Sequence, residues 1–161
     1  MSCLWILVNY LNKKIRMETL EFKIRIKAPA EKVWSVLWND ETYKKWTGAF
    51  CEGSYAVSDW NEGDKIHFMS PNGEGMNSII ETKIPNEYMA FKHIGEIKDF
   101  KELPIDEETK KWSGAMETYR LTPDDEFTDL VAQVDVVEKY IDYFKEAFPK
   151  GVETVKELSE K

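Results

Sequence analysis

The chain has 161 residues, one domain's worth, and is long enough to bury roughly two thirds of the surface that its unfolded form exposes. Hydrophobic residues at 42%, charged residues at 32%, 8 Gly and 6 Pro make a globular composition that excludes wholesale disorder and collagen-like repeats. With 30 acidic against 22 basic residues the net charge is −8, which repels phosphate backbones and makes nucleic acid a poor partner.

Residues 3–11, CLWILVNYL, are apolar but too few to span a bilayer, and the basic residues Lys13, Lys14 and Arg16 follow the run instead of preceding it as in a secretory leader. Two cysteines, Cys3 and Cys51, do not make a disulfide framework. A cytoplasmic location without a membrane span is therefore expected. Composition changes at Met17, which divides the chain into an N-terminal apolar extension over 1–16 and a single domain over 17–161. The extension reads either as sequence upstream of the natural start or as an apolar arm docked on the domain.

Leu20, Phe22, Ile24 and Ile26 alternate with charged residues, the period of two that buries one strand face. Pro29 and Glu31 then open a helix with Val33, Trp34, Leu37 and Trp38 on one stripe, and Asp40 can cap a second short helix carrying Tyr43 and Trp46. Strand-like runs follow at about 51–60, 64–70, 75–85, 87–95, 112–122 and 127–137, separated by turn residues such as Asn61-Glu62-Gly63-Asp64 and Pro71-Asn72-Gly73-Glu74. Residues 96–111 read as a charged, solvated connection. From Lys139 to Lys161, apolar residues at spacings of three and four predict a long amphipathic helix, and Pro149 predicts a kink or break within it.

An antiparallel meander of about seven strands has one apolar face to bury, and the terminal helix is the one element long enough to cover it. The expectation is an α+β fold in which a curved sheet wraps that helix, with two short helices after the first strand. Space between sheet and helix is either plugged by large side chains or left as an apolar cavity. Trp38, Trp46, Trp60, Phe68, Met76, Ile80, Phe91, His93, Glu117, Tyr119, Phe144 and Phe148 are the candidates to line it as ligand-binding residues. Taken singly, each reads first as ordinary core; as a set they mark where a ligand would sit.

The run Ile26-Lys27-Ala28-Pro29-Ala30-Glu31-Lys32-Val33-Trp34, followed by Trp38-Asn39-Asp40-Glu41 and Trp46, resembles the opening of START-like (SRPBCC) domains. Asp59-Trp60, Phe91-Lys92-His93-Ile94-Gly95, Glu117-Thr118-Tyr119-Arg120-Leu121-Thr122-Pro123 and Phe148-Pro149-Lys150-Gly151 are similar to motifs of the branch related to the activator of the heat shock protein 90 ATPase. The resemblance spans about residues 18–160 and implies a helix-grip fold with an apolar cavity. Many members carry tryptophan after the glycine of the terminal helix where this chain has Val152, so pocket size and ligand type do not transfer.

Reactive groups are few. His67 follows the parity opposite to Phe68 and is expected outward, whereas His93 shares parity with Phe91 and could meet Glu117, Tyr119 or Ser78 in the cavity. Such a pair could do general acid or base work, but a hydrogen-bonded structural or ligand-orienting role is the favoured reading. Cys51 has no histidine near it in sequence and reads as an inert buried thiol. Zinc or calcium spacing and a phosphate loop are missing, so neither metal nor cofactor is expected. The favoured function is binding of a small apolar ligand. The alternatives are a protein-interaction or co-chaperone-like module, which the resemblance implies, and an enzyme using His93 and Glu117.

Overall fold

The computed structural model describes residues 16–161. The proposed extension over 1–16 therefore lies almost wholly outside the described residues. Strand β1 (Met17–Ile26) leads into helices α1 (Ala30–Trp38) and α2 (Asp40–Thr47). The strands β2 (Tyr55–Val57), β3 (Lys65–Met69), β4 (Gly75–Ile84), β5 (Tyr88–Lys98), β6 (Lys101–Glu102), β7 (Met116–Asp124) and β8 (Phe127–Val137) follow, with a short helix α3 (Glu107–Lys110) before β7. Helix α4 (Ile141–Ser159) closes the chain.

The sheet runs β1-β8-β7-β5-β4-β3-β2, with β6 paired to β5 at the side. All pairs are antiparallel, so β2 to β8 form the expected meander and β1 returns to lie beside β8, with Met17 opposite Val137 and Ile26 opposite Thr128. This is the α+β helix-grip architecture. Helix α4 packs on β1, α1 and α2, and its approach to α2 depends on Gly151, where a Cβ would stand 3.1 Å from the Phe50 ring. The core is continuous: Leu20, Ile26, Val33, Leu37, Ile66, Ile80, Met89, Phe91, Tyr119, Leu121, Leu130, Phe148 and Val155 are all buried. Val152 is buried among them.

Four details differ from the sequence reading. The strand expected at 51–60 shrinks to Tyr55–Val57, because Cys51–Gly53 turns and Trp60 adopts a positive φ of 63°. The connection at 96–111 is largely built: β5 runs on to Lys98, Asp99 and Phe100 take positive φ in a two-residue hairpin loop to β6, and Asp106 caps α3 by accepting from Thr109 N at 2.8 Å. Asn39 caps α2 in place of Asp40, its side chain accepting from Glu41 N at 3.1 Å. Helix α4 runs through Pro149 without the break that was one of the two expected outcomes, since Pro149 and Lys145 both lie on the exposed face, where water can serve the freed carbonyl.

Two register shifts interrupt the β4–β5 pair, between Asn77 and Ser78 and between Ile80 and Thr82, as β-bulges do. The first skips Ile94 on β5 and leaves His93 directly across from Ser78, both turned inward and buried.

Candidate functional site

Two small cavities open beneath α4. The first, about 30 Å³, is bordered by Trp38, Tyr43, Trp46, Phe50, Phe68, Phe91, Glu117, Tyr119, Phe144 and Phe148 among others. The second, about 50 Å³, is bordered by Met76, His93, Trp112, Glu117, Val134, Val136, Tyr140 and Phe144 with their neighbours. Glu117 and Phe144 border both. Of the twelve candidate residues, eight therefore meet the first cavity and four the second, two of them shared, while Trp60 and Ile80 meet neither. Ile80 is fully buried core, and Trp60 packs behind the wall with its ring 5.9 Å from that of Trp38 and 6.4 Å from that of Phe91.

The wall is largely a web of rings at steep angles. Trp38 meets Tyr119 at 4.9 Å and Phe91 at 5.3 Å between centroids, and Phe91 meets Phe68 at 5.1 Å, each pair edge to face. On the helix side Phe148 stacks flat on Phe22 at 4.6 Å.

Through this apolar surround runs one polar chain. Ser78 Oγ lies 2.7 Å from His93 Nδ1, His93 Nε2 lies 3.1 Å from Glu117 Oε2, and the Tyr119 hydroxyl donates to Glu117 Oε1. A carboxylate can only accept, so Nε2 carries a proton, and a neutral imidazole then accepts the Ser78 hydroxyl proton at Nδ1. Burial, reinforced by the nearby Glu117 charge and the hydrogen bond to it, pushes the Tyr119 phenol well above its ordinary pKa; burial and the same charge push Tyr43 up as well. Parity puts Glu117, Tyr119 and Leu121 on one face of β7, and Glu117 sits opposite Phe91 in the register. Ser78 is fully buried, so the Ser-His-Glu order holds a histidine in place and offers no nucleophile to solvent. His67 lies on the other face, 2.8 Å from Glu102 Oε1.

A second polar feature is a donor without a partner. The indole Nε1 of Trp38 is buried and finds no acceptor among the described residues, although Trp46, one helix on, donates its own to Leu37 O at 3.0 Å.

The model of the family described as Activator of Hsp90 ATPase homolog 1-like protein matches residues 27–151. The chain belongs to that family. No curated protein matches it. Among solved structures, the Aha1 dimer of Colwellia psychrerythraea is 19% identical, with a TM-score of 0.68 over 89% of this chain and 96% of that one. Protein MLL2253 of Mesorhizobium loti is 15% identical, with a TM-score of 0.67 over 88% and 96%. CalU16 of Micromonospora echinospora is 13% identical, with a TM-score of 0.60 over 86% of this chain and 71% of that one. At these identities the likeness is one of fold.

Sequence reasoning missed Tyr43, Phe50 and Trp112 as wall residues. Tyr43 was legible as the partner of Trp46 on one helix face, with ring centroids 5.5 Å apart. Trp112 was hidden because the strand it was assigned to begins only at Met116, and the turn before it buries the indole. Cys51 is half-buried and carries no free thiol, which corrects the expectation of a reduced thiol while leaving it no nucleophile. Among the described residues no cluster of three or more His, Cys, Asp or Glu could hold a metal, and no helix is long and apolar enough to cross a membrane.

Proposed function

We propose that this chain is a binding domain that holds a small apolar molecule between the sheet and α4, with the twelve candidate residues as its contacts or the layer behind them. The supporting observation is that two apolar cavities meet at a single hydrogen-bonded carboxylate, Glu117, beneath the helix. An ordinary core has no need of a carboxylate at that point, and orienting a guest gives it a use. Each cavity is well below the ~150 Å³ that accepts a benzene ring, so the guest is small or the walls give way to it. Native mass spectrometry of protein purified from its own cells tests this: a retained organic mass lost on unfolding supports binding. Bare protein that also takes up no environment-sensitive apolar dye refutes it.

A protein-interaction role is the second reading. It is favoured by Phe100, Leu103 and Ile105, which are 66%, 39% and 46% exposed around the β6 excursion, and by the family's description. Stimulation of a chaperone ATPase, abolished by Phe100→Ser, is its signature. We also propose a cytoplasmic location, because two cysteines make no disulfide framework and no secretory-leader pattern precedes Met17. The lack of a free thiol at Cys51 argues the other way, and alkylation of the freshly extracted protein decides between them.

A further inference from the structure

We propose that the apolar run 3–11 docks along the borders of both cavities when Cys3 is joined to Cys51, and so shuts out the guest, a regulation that rests on the binding reading above. The run itself lies outside the described residues, but both of its attachments stand on described ones. At one end Met17 borders the second cavity, and Arg16 O accepts from Glu138 N at 2.9 Å. At the other, Cys51 carries no free thiol, and Cys3 is the other cysteine of the chain. Cys51 is held at the first cavity: its N donates to Thr47 O at 3.3 Å, Ser54 Oγ donates to its O at 2.7 Å, and Thr47, Phe50 and Ser54 all border that cavity.

Between these attachments the half-buried rings of Tyr140 and Phe144 continue the border, Tyr140 on the second cavity and Phe144 on both. From Met17 back to Cys3 the chain has fourteen residues, which reach up to about 46 Å, so length does not limit the path. Leu4, Trp5, Ile6, Leu7 and Val8 leave water only against an apolar surface. Phe100, Leu103 and Ile105 offer another, but none of them borders the cavities at which both attachments stand. Charge agrees, since Lys13, Lys14 and Arg16 are basic while Glu138 and Asp142 stand where α4 begins. A bond to Cys51 ties the run at both ends and raises its effective concentration at the cavities, so weak apolar contacts suffice while it holds. The two thiols and one oxidised glutathione give the Cys3–Cys51 disulfide and two reduced glutathiones; excess dithiothreitol restores the thiols and ends as its own disulfide.

The experiment compares the full chain treated with oxidised glutathione and with dithiothreitol. Non-reducing peptide mapping of the oxidised monomer should yield one tryptic pair that links Cys3 to Cys51. In nuclear magnetic resonance spectra the methyl signals of Met69, on the first cavity, and Met76, on the second, should differ between the two forms, whereas Met89, fully buried and bordering neither, should not. The oxidised chain should bind the neutral apolar dye Nile red about ten-fold or more weakly than the reduced chain. Cys3→Ser should bind the dye as the reduced chain does, with dithiothreitol or without.

Failure of the linked pair to form, a Cys51–Cys51 dimer in its place, or Met69 and Met76 signals that the bond leaves unmoved overturns the docking. Equal dye affinity in the two forms overturns the exclusion while leaving a binding domain. If the reduced chain and Cys3→Ser both ignore the dye, the binding reading itself fails, and the methyl signals still decide where the run lies.

Discussion

Phe148 and Phe144 lie one turn apart on α4, and truncating each to alanine should separate a packed ring from a half-buried one. Phe148 is 1% exposed, stacks on Phe22 with ring planes 6° apart, and meets the Phe50 edge at 4.9 Å. Removing a ring so enclosed costs about 3–5 kcal/mol. The void already beside it is about 30 Å³, and at ~24 cal/mol per Å³ it has forfeited only about 0.7 kcal/mol in advance. Phe148→Ala should therefore cost about 3–4 kcal/mol. Phe144 is half-buried between two voids and has fewer contacts to lose, so Phe144→Ala should cost about 1–2 kcal/mol. Urea unfolding followed by tryptophan fluorescence measures both, with unchanged m-values as the check that the same transition is compared. Equal penalties, or a loss below about 1.5 kcal/mol at Phe148, would refute the division of this helix face into a packed and a half-buried ring.

Three further outcomes are expected. Gly73 has φ +84°, and a Cβ there would stand 2.7 Å from the Phe100 ring and 3.1 Å from Phe100 N, which donates to Gly73 O at 2.9 Å; Gly73→Val should cost about 1–3 kcal/mol, and a neutral result by thermal melting would contradict the turn. Tyr43 and Tyr119 keep their protons in the folded state after unfolded tyrosine ionises near pH 10, so the unfolded state binds fewer protons there. Stability should fall as pH rises above about 10, by up to about 1.4 kcal/mol per unit for each ring, and these phenols should show their absorbance change only on unfolding; ionisation of all 7 tyrosines near pH 10 without unfolding would contradict it. A chain beginning at Met17 keeps all of β1 and gives up the bond from Glu138 N to Arg16 O; compared under reducing conditions, so that Cys51 is a thiol in both, it should melt within about 5 °C of the full chain, whereas loss of cooperative unfolding would make the extension structural.

What could be read in advance followed from periodicity. The β1 alternation, the turns at Gly63 and Gly73, and the α4 stripe each depend on neighbours a few residues apart, and together they dictated a meander gripping a helix. The site was legible only through parity. Counting in twos from Phe91 turns His93 inward, and that holds because the skipped residue, Ile94, comes after it. The same counting could not tell whether Glu117 followed Tyr119 inward, since a carboxylate there looks misplaced until His93 and Tyr119 are seen to share it. Trp60 stands outside both cavities because a positive φ takes it out of the strand expected over 51–60. Nothing local announced the orphaned Trp38 nitrogen, which is defined by what surrounds it in space.

The pairing of β1 with β8 also has a consequence for the order of assembly. Its closest partners in sequence, Ile26 and Thr128, are about a hundred residues apart, and α4, the helix that covers β1, comes later still. During synthesis at ~5–20 residues per second, the first strand leaves the ribosome on the order of 5–20 s before its partner exists. It spends that interval with Leu20, Phe22 and Ile24 uncovered, and the charges at Glu21, Lys23 and Arg25 between them serve to keep it from other nascent chains.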